Sequence, residues 1–283
     1  MQETTNKGNW LPNDAAPAVN PHMSDRFAQV YEMTAHRITA PVAVEALRLA
    51  GSIGAGTRVL DIAAGAGALA IPAAFSGATV LAIDIAPGMV NLLSQRLQPF
   101  PNATAALMDG HALALDDESV DLACSIFGVS LFNDWRTGLA EQVRVLRSGG
   151  KACVATWKTP PGGGPFLVMG KAIRAVFPDS RPPAPPDGFV ALSDPSRMVA
   201  ELEAAGLVDV EVVEVQAVWQ GATGQAYLDE LHDLHRFMPP YAALDEQARR
   251  EVDQAILRTI DEYMVDGWTR LVTSVLIGIG IKP

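Results

Sequence analysis

The feature that most constrains this chain is the run Val59-Leu60-Asp61-Ile62-Ala63-Ala64-Gly65-Ala66-Gly67. An apolar run that ends in a carboxylate and then in closely spaced glycines is typical of a buried strand followed by a tight turn into a helix. Glycines in such a turn let backbone N–H groups approach a ligand closely. The run therefore predicts the first strand and first turn of an α/β sheet with a ligand at its edge.

Predicted strands and helices alternate after this run. The strands cover 58–62, 78–83, 103–108, 120–126 and 151–157, and the helices cover 68–75, 87–97 and a segment capped by Asn133 or Asp134. The fourth strand is almost wholly apolar, as expected for a central parallel strand buried on both faces. Ser148-Gly149-Gly150 is predicted to turn the chain into the fifth strand. This order predicts a doubly wound, mostly parallel, seven-stranded α/β sheet.

The segment that precedes the predicted sheet lacks its regular alternation of strands and helices. Residues 1–22 show no periodicity, so we expect them to be mobile or draped over the surface. Ser24 is expected to cap a helix whose apolar face holds Phe27, Val30, Tyr31, Thr34 and Ile38, and Pro41 is expected to start a second helix that ends near Gly51.

The chain after Trp157 is rich in proline and glycine, and its predicted elements are widely spaced. We predict helices over 166–176 and 195–205, strands over 208–219 and 271–281, and a mostly helical stretch over 225–265 that is broken at Pro239-Pro240. A helical insertion this long between two strands predicts a lid over the carboxyl edge of the sheet.

We accordingly divide the chain into five parts. Residues 1–50 form the N-terminal extension with cap helices, and residues 51–158 form the cofactor-binding core. Residues 159–224 form a segment of loop, helix and sixth strand, residues 225–266 the helical lid, and residues 267–283 the last strand.

Composition excludes several classes of function. Hydrophobic residues make up 49% and charged residues 19% of the chain, which is enough for a packed core. A net charge of −11 argues against nucleic-acid or anionic-membrane partners, which need clustered basic residues. The polar start, Met1 to Leu11, has no signal core, and no stretch reaches the ~18 apolar residues of a membrane span. Cys124 and Cys153 lie in predicted strands and are expected to be buried free thiols, so we expect a soluble, cytoplasmic protein.

A second carboxylate, Asp84, ends the second predicted strand and is placed to accept from both hydroxyls of a ribose. The run from Gly65 to Ala70 matches the G-x-G-x-x-A dinucleotide fingerprint, which alone favours NAD. Asp61 argues against NAD, because a carboxylate four residues before the glycines repels a pyrophosphate and suits an ammonium or sulfonium group. Asp109, after the third strand, offers an acceptor for the exocyclic amine of adenine. The closing order of strand, helical insertion and strand also differs from a two-half dinucleotide domain.

The motifs together resemble the class I S-adenosylmethionine-dependent methyltransferases, in particular the small-molecule branch of ubiquinone and menaquinone biosynthesis. The resemblance covers residues 55–158 and rests on the runs 59–67, 82–89, 109–115, 119–121, 127–132 and 144–150, in the order typical of that family. It implies S-adenosyl-L-methionine as cofactor and S-adenosyl-L-homocysteine as product.

The resemblance also implies roles for individual residues. Asp61 orients the ammonium group of the cofactor, Asp84 accepts from the ribose hydroxyls, and Met89 packs on the adenine. The alternative is that the two acids only cap helices. The full predicted cofactor set is Asp61, Ala63, Gly65, Gly67, Asp84, Ile85, Met89, Asp109, Gly110, His111, Ser125 and Phe127.

Few side chains are candidates for acid–base chemistry. Tyr31 lies on the N-terminal helix, which in related enzymes folds over the cofactor, although a core role is equally open; His36, further along, is expected to be exposed. His232 and His235 are three residues apart on one face of a predicted helix, where they make a base, half of a metal site, or a solvated or pocket-lining face. No third or fourth ligand is evident, so no metal is predicted.

The predicted acceptor is a small, aromatic or natural-product-like molecule that is methylated on oxygen or carbon, as in secondary metabolism. The predicted pocket residues are Tyr31, Phe132, Trp135, Arg136, Phe166, Phe237 and Tyr241. Ser125-Ile126-Phe127-Gly128 stands where relatives that methylate amide or base nitrogens carry an Asn/Asp-Pro-Pro-aromatic motif, so those substrates are disfavoured. Two alternatives stay open: an NAD(P)-dependent reductase, and a non-catalytic protein that binds the cofactor. An oligomer is possible.

Overall fold

The computed structural model describes residues 20–159, 162–180 and 184–283. The polar start of the chain, Met1 to Leu11, lies outside these residues. The prediction for residues 1–22 falls mostly outside them as well. Near the first described residue, Pro21–Met23 form a short 3-10 helix.

Helices and strands alternate through the core as predicted. The helices are α1 (Asp25–Met33), α2 (His36–Ala50), α3 (Ala70–Phe75), α4 (Pro87–Leu97), α5 (Trp135–Arg144), α6 (Pro165–Val176), α7 (Asp187–Leu192), α8 (Pro195–Ala204), α9 (Gln225–Phe237), α10 (Pro239–Ala242) and α11 (Glu246–Asp261). The strands are β1 (Arg58–Ile62), β2 (Thr79–Asp84), β3 (Ala103–Leu107), β4 (Val120–Ile126), β5 (Leu146–Trp157), β6 (Val208–Gly221), β7 (Met264–Val265) and β8 (Trp268–Ile281).

The strands form one sheet in the order β3-β2-β1-β4-β5-β8-β6. Strands β1 to β5 pair in parallel, whereas β8 is antiparallel to both of its neighbours. The predicted fold class, a doubly wound and mostly parallel α/β sheet, is therefore confirmed. The seven predicted strands form the main path, and the two-residue β7 adds an eighth strand, within the described residues, through its pairing with β8.

Helices cover both faces of the sheet. One core packs α2, α3, α4, α6 and the insertion helices α9 to α11 against one face, with Trp219 and Tyr227 fully buried in it. The other core packs α5, α7 and α8 against the opposite face. Both thiols, Cys124 and Cys153, are free and buried at paired positions of β4 and β5, as predicted.

The main differences from the prediction concern the N-terminal helices, β5 and α7. The single helix expected to carry both Phe27 and Ile38 ends at Met33, and Ile38 lies on α2. Pro41 lies inside α2 rather than at its start, because the buried face that holds Ile38 and Val42 continues across it. Strand β5 begins at Leu146, and the pairing with β4 shifts register between Val120 and Leu122, so the predicted glycine turn is an irregular part of the strand. Helix α7 was not predicted, because it is short and follows a proline-rich stretch.

The N-terminal helix α1 is held against the start of α4 by a close backbone approach. Ser24 caps α1, as predicted, by accepting from Phe27 N at 3.2 Å. Gly88 makes the approach possible: a Cβ atom there would lie 2.3 Å from the carbonyl group of Ser24. Asn91 Nδ2 also donates to Asp25 Oδ1 at 2.9 Å. These contacts place α1 over the carboxyl edge of the sheet.

Within the described residues, no helix is both long enough and apolar enough to cross a membrane.

We predict that Gly88→Ala loosens α1. Alanine in a helix is ordinarily more favourable than glycine by about 1 kcal/mol, but here its methyl group would overlap backbone atoms that cannot rotate away. Amide hydrogen exchange of residues 25–33 is expected to become about tenfold faster or more, with exchange of the central strands unchanged. Gly54→Ala is the matched control, because its Cβ atom would lie 3.5 Å from its nearest neighbour. Unchanged exchange of α1 in Gly88→Ala would contradict the role given to this glycine.

Candidate functional site

The candidate site lies where β1, β2 and β4 end at the same edge of the sheet. Its lining includes the carboxylate of Asp61, the glycine turn that follows β1, Ile126 at the end of β4, and Tyr31 and His36 from the two N-terminal helices. Carboxyl ends of parallel strands are the usual ligand-binding edge of such sheets.

Asp61 is the most constrained group of this site. Its side chain is 2% exposed, and its Oδ2 atom accepts from Ala70 N, at the start of α3, at 3.0 Å. Among the residues that the structure describes, no cationic side chain pairs with it. Burial raises the pKa of Asp61 to about 7, and the nearby Asp84 carboxylate adds to the rise. A buried, unpaired carboxylate of this kind is a candidate ligand for a cation.

Asp84 connects the end of β2 to the glycine turn. Its Oδ2 atom accepts from Gly65 N at 2.9 Å, and its Oδ1 atom accepts from Ala86 N at 2.9 Å. Burial raises the pKa of Asp84, although these backbone N–H groups oppose the rise. Each oxygen keeps a second lone pair, so the carboxylate can still accept two hydroxyl groups.

The backbone around the turn is in an uncommon conformation. Ala63 has φ 57° and Phe127 has φ 63°, the left-handed region that side chains other than glycine rarely adopt. The two residues lie at the ends of β1 and β4, where Gly128 approaches so closely that a Cβ atom would lie 2.5 Å from the Cβ of Ala63. Strain of this kind concentrates at functional sites, because only a tightly packed surrounding maintains it.

Asp109 and His111, which were predicted for the cofactor site, lie together with Phe132, which was predicted for the acceptor pocket. Asp109 Oδ1 and His111 Nδ1 are 2.7 Å apart, and the His111 ring lies 4.6 Å from that of Phe132. Gly110 leaves room for Phe132, since a Cβ atom there would lie 2.6 Å from the ring. Ile85 is exposed on the same edge, whereas Met89 is buried beside Ala28 beneath α1.

Two side chains at the end of β4, those of Ser125 and Phe127, have different surroundings. Ser125 Oγ donates to Ile62 O at 3.1 Å and accepts from Val129 N at 2.9 Å, so its hydroxyl group fixes β4 to β1. Phe127 stacks on Trp157 at 4.3 Å with 19° between the ring planes. Trp157 was not in the predicted set, although its place at the carboxyl end of a parallel strand was a usable signal.

Two cap helices close the site from above. The Cε1 atom of Tyr31, on α1, would lie 3.9 Å from a Cβ atom on Gly65, so this side chain covers the glycine turn. Burial raises the pKa of Tyr31; a hydrogen bond with Thr39 opposes this, and the charge of Asp84 adds to it. The enclosed space beneath the cap has a volume of about 30 Å³. Ligand pockets for drug-sized molecules run to about 300–1,000 Å³, so the cap as it stands in this structure leaves too little room for a nucleoside.

His36 lines this space, contrary to the expectation that it is exposed. Helix α1 ends at Met33 and α2 begins at His36, so the periodicity of α1 does not set the direction of this side chain. Its Nδ1 atom is buried and has no hydrogen-bond partner among the described residues. Burial, with a contribution from the Arg96 charge, lowers the pKa of His36 to about 4.

Arg96 connects α4 to the turn and to the cap. Its Nη1 atom donates to Ala66 O at 2.7 Å and lies 3.1 Å from Glu32 Oε1 on α1. Sequence patterns gave no signal for this contact, because it depends on how α4 packs beside the turn.

The structure does not bring Trp135 and Arg136 to the cleft. Trp135 is buried in the opposite core and its Nε1 atom donates to Asp187 Oδ2 at 3.0 Å. Arg136 lies on the surface, where it stacks on Trp135 at 4.2 Å and bonds Glu201 Oε2 at 2.8 Å. Both residues instead hold α7 and α8 against α5.

The two histidines of α9 do not share a face, contrary to the prediction. His232 is exposed and its Nε2 atom accepts from Arg236 Nε at 3.1 Å. His235 is 2% exposed, and burial lowers its pKa to about 3. The edge of the buried face passes between them, so they cannot act as a pair. No group of three or more potential metal-ligating side chains comes together in the described parts of the chain.

Three of the aromatic residues predicted for the pocket, Phe166, Phe237 and Tyr241, lie in three different places. Phe237 lies at the end of α9 and packs edge-on against Phe27 of α1 at 5.1 Å, next to the cap. Phe166 is half-buried on α6. Tyr241 lies inside the insertion, where its hydroxyl donates to Asp253 Oδ1 at 2.8 Å.

Comparisons with known proteins agree with this architecture. The family described as "Methyltransferase domain" matches residues 60–154. The uncharacterized protein Rv1405c of Mycobacterium tuberculosis is 30% identical over 243 residues, which cover 84% of this chain and 86% of that protein. A demethylmenaquinone methyltransferase of Mycobacterium sp. (strain KMS) is 32% identical over 181 residues, which cover 61% of this chain and 74% of that protein.

A solved structure shows the same fold. It is the phosphoethanolamine N-methyltransferase 2 of Haemonchus contortus, determined with phosphomonomethylethanolamine and S-adenosylhomocysteine, with a TM-score of 0.57 and 17% identity. The similarity covers 93% of this chain and 58% of that one, and it bears on the fold alone.

We predict that Asp61→Asn stabilises the protein in a pH-dependent way. The raised pKa means that the folded protein holds this proton more tightly than the unfolded chain, so stability is lost as pH rises from about 4 to about 7. Asparagine removes that titration. The gain in free energy of unfolding in urea is expected to be about 1–3 kcal/mol larger at pH 8 than at pH 5, because only part of the loss caused by Asp61 is present at pH 5.

The control is Asp117→Asn, because Asp117 is exposed and pairs with Arg144 on the surface. A change below about 1 kcal/mol is expected for it at either pH. Equal effects of Asp61→Asn at pH 5 and pH 8 would show that Asp61 is not a strained carboxylate.

Proposed function

The chain belongs to the class I S-adenosylmethionine-dependent methyltransferases of the small-molecule kind, and we propose that it methylates an oxygen or a ring carbon of a small, hydroxylated aromatic acceptor. S-adenosyl-L-methionine is the methyl donor of this family, and S-adenosyl-L-homocysteine is the product. When bound, the donor supplies an electrophilic methyl group on a positively charged sulfur.

The single observation that carries the donor site is the unpaired carboxylate of Asp61. An ammonium group beside it would remove the cost of burying this charge. A pyrophosphate at the same place would add a repulsion, which argues against the alternative of an NAD(P)-dependent reductase. The donor set of this chain therefore fits an amino-acid end that carries a cation.

Asp84 and the glycine turn complete the proposed donor site. The free lone pairs of Asp84 would accept from the two ribose hydroxyls, at about 1.5–3 kcal/mol for hydrogen bonds to a charged group. Gly65 keeps the turn open to the ligand, since Tyr31 is the nearest group to its Cβ position. Asp109, Gly110, His111 and Phe132 would then surround the adenine.

The cap residues would orient the acceptor and exclude water. Positioning the nucleophile in line with the methyl group supplies most of the catalysis in such a displacement. Tyr31 keeps its proton at neutral pH because its pKa is raised. It can donate a hydrogen bond over the turn but is a poor base, so we assign it to positioning rather than to proton removal.

Aromatic side chains favour an aromatic acceptor. The stacked pair of Phe127 and Trp157 lies at the carboxyl edge, and Phe27 and Phe237 pack where the cap meets the insertion. Flat apolar walls with few polar groups are typical of sites for ring-bearing ligands. The relative named demethylmenaquinone methyltransferase supports an acceptor of this class.

The helical insertion is proposed to act as a lid that moves with the cap. Helix α9 is fixed to the 3-10 helix before α1 by His22 Nε2, 2.9 Å from Phe237 O, and to α1 by Arg26, 3.3 Å from Asp233. Arg37 of α2 pairs with Glu230 of α9. These contacts join the two N-terminal helices to the insertion, so opening one for the ligand displaces the other.

We predict that the protein binds S-adenosylhomocysteine and not NADH. Titration calorimetry with each ligand checks this, and incubation with methyl-labelled S-adenosylmethionine and naphthalene-1,4-diol, catechol or 1-naphthol checks transfer. Label in the extracted acceptor is the expected result. Binding of NADH in place of S-adenosylhomocysteine would overturn the donor site. Donor binding without transfer to any hydroxylated aromatic would overturn the acceptor class and favour a non-catalytic binding protein.

We predict that Asp84→Ala weakens S-adenosylhomocysteine binding about tenfold or more, because two charge-assisted hydrogen bonds and the support of Gly65 N are lost. Calorimetry measures the dissociation constant, and circular dichroism checks the fold. Asp117→Ala is the control, since it also removes an acidic side chain but lies away from the cleft. Equal affinity in wild type and Asp84→Ala would place the ribose elsewhere.

A further inference from the structure

One arginine joins the glycine turn to the cap helix α1. Arg96 lies in the last turn of α4, and its Nη1 atom donates to Ala66 O at 2.7 Å. The same nitrogen lies 3.1 Å from Glu32 Oε1 on α1. Helix α4 is close against the turn here, since a Cβ atom on Gly67 would lie 2.5 Å from Leu93 Cδ1. Neither the family motifs nor the proposed donor contacts give this arginine a role.

The contact with Ala66 fixes a pliable peptide of the turn. Ala66 stands between Gly65 and Gly67, which have φ values of 52° and 87°. Glycine adopts either sign of φ at little cost, so the peptide unit between Ala66 and Gly67 has little intrinsic resistance to rotation. Arg96 holds its carbonyl group, and Ala64 O accepts from its N–H group at 2.9 Å. This peptide is therefore held at both ends.

The contact with Glu32 holds the C-terminal end of α1. Near its N-terminus α1 is already joined to α4, where Asn91 Nδ2 donates to Asp25 Oδ1 at 2.9 Å. Glu32 lies about two helical turns further along α1, so its pairing with Arg96 holds the helix at a second point. Tyr31, the residue before Glu32, is the side chain that covers the glycine turn. The pair thus sets where this cover lies.

The charge of Arg96 leaves the two buried acids free. Arg96 forms an ion pair with Glu32 and, in the described parts of the chain, none with Asp61 or Asp84. Its charge is nevertheless near the cleft, because it contributes to the lowered pKa of His36. Glu32 offsets this charge, so the repulsion between Arg96 and a cationic ligand at the acids is reduced.

We propose that Arg96 is a positioning residue of the donor site, which holds the glycine turn and α1 in the arrangement that receives the amino-acid end of the donor. This inference rests on the proposed function, because it needs a donor at the turn. Arg96 acts through the backbone of the turn and through α1 rather than by touching the donor. Its two contacts are separable, since Glu32 belongs to α1 and the Ala66 carbonyl belongs to the turn.

The first test measures the two contacts without a ligand. Amide hydrogen exchange is followed by NMR in wild type, Arg96→Ala, Glu32→Ala and Arg96→Lys. In Arg96→Ala the Gly67 amide is expected to exchange about tenfold faster, and residues 30–33 about three- to fivefold faster, with the central strands unchanged. In Glu32→Ala only residues 30–33 should exchange faster. Wild-type exchange of Gly67 in Arg96→Ala would overturn the proposal.

Arg96→Lys tests rescue by a conservative change. Both contacts of Arg96 come from a single nitrogen, and an ammonium group carries three N–H donors, so lysine can make both. Exchange of Gly67 and of residues 30–33 in this variant should stay within about threefold of wild type.

The second test separates the turn from the fold as a whole. S-adenosylhomocysteine and 5′-methylthioadenosine, which lacks the amino-acid end, are titrated into each variant by calorimetry. Arg96→Ala is expected to weaken S-adenosylhomocysteine binding about tenfold and 5′-methylthioadenosine binding less than about twofold. Arg96→Lys should recover most of the lost affinity. Equal losses for the two ligands would indicate a general loosening of the protein and would overturn the proposal, as would wild-type affinity for S-adenosylhomocysteine.

The matched control is Arg147→Ala. Arg147 also bonds a backbone carbonyl, Ser148 O at 2.9 Å, and a carboxylate, that of Asp121. It lies near the start of β5, at the opposite edge of the sheet from the donor site. Both ligands are expected to bind this variant within about twofold of wild type. A tenfold loss of S-adenosylhomocysteine binding would show that the effect is not particular to Arg96 and would overturn the assignment.

The outcomes are distinct from a failure of the proposed function. A wild-type protein that does not bind S-adenosylhomocysteine contradicts the proposed function itself. In that case the exchange rate of the Gly67 amide still decides whether Arg96 holds the turn. Wild-type affinity in Arg96→Ala contradicts only the role given to Arg96.

Discussion

The burial of the Asp61 carboxylate at the end of β1 is the constraint on which the rest of the site depends. The charge has no cationic partner in the described chain, and a single N–H group at the start of α3 compensates it in part. Asp84, on the neighbouring strand, adds a second carboxylate whose oxygens accept backbone N–H groups of the turn. Stability is reduced by this arrangement, and a bound cation would recover what is lost.

The cap helices α1 and α2 cover the buried carboxylates of Asp61 and Asp84 from outside the sheet. Tyr31, His36 and Thr39 cover the carboxylates with neutral polar groups rather than with lysine or arginine. A fixed cation there would compete with a ligand for Asp61, whereas neutral groups leave that place available. The close backbone approach at Gly88 brings α1 near enough for this covering, and contacts with α9 couple the cap to the insertion. The donor site, the cap and the insertion are thus connected by direct contacts.

Much of the fold was predictable because apolar runs and helix-capping residues in the sequence specify it locally. The apolar runs of β1 and β4 and the helix that starts at Pro87 were placed at their observed bounds, and Ser24 and Asp134 cap helices as expected. Pro41 misled the prediction, because a continuous buried face outweighs one lost backbone hydrogen bond. His232 and His235 were wrongly placed on one face of the helix. Which of two helix residues three positions apart is buried depends on the surface that packs against the helix, and the sequence alone does not show that surface.

The order of the core strands and helices, the glycine turn and the two acids that mark the donor site follow from the amino-acid sequence alone. These follow from short-range chemistry, in which a residue and its near neighbours specify the conformation. Three features depend on tertiary packing: His36 faces the cleft, Trp157 stacks on Phe127, and Trp135 and Arg136 lie on the far side of the sheet. Which way those side chains face depends on how distant segments pack, and that packing leaves no periodic signal in the chain.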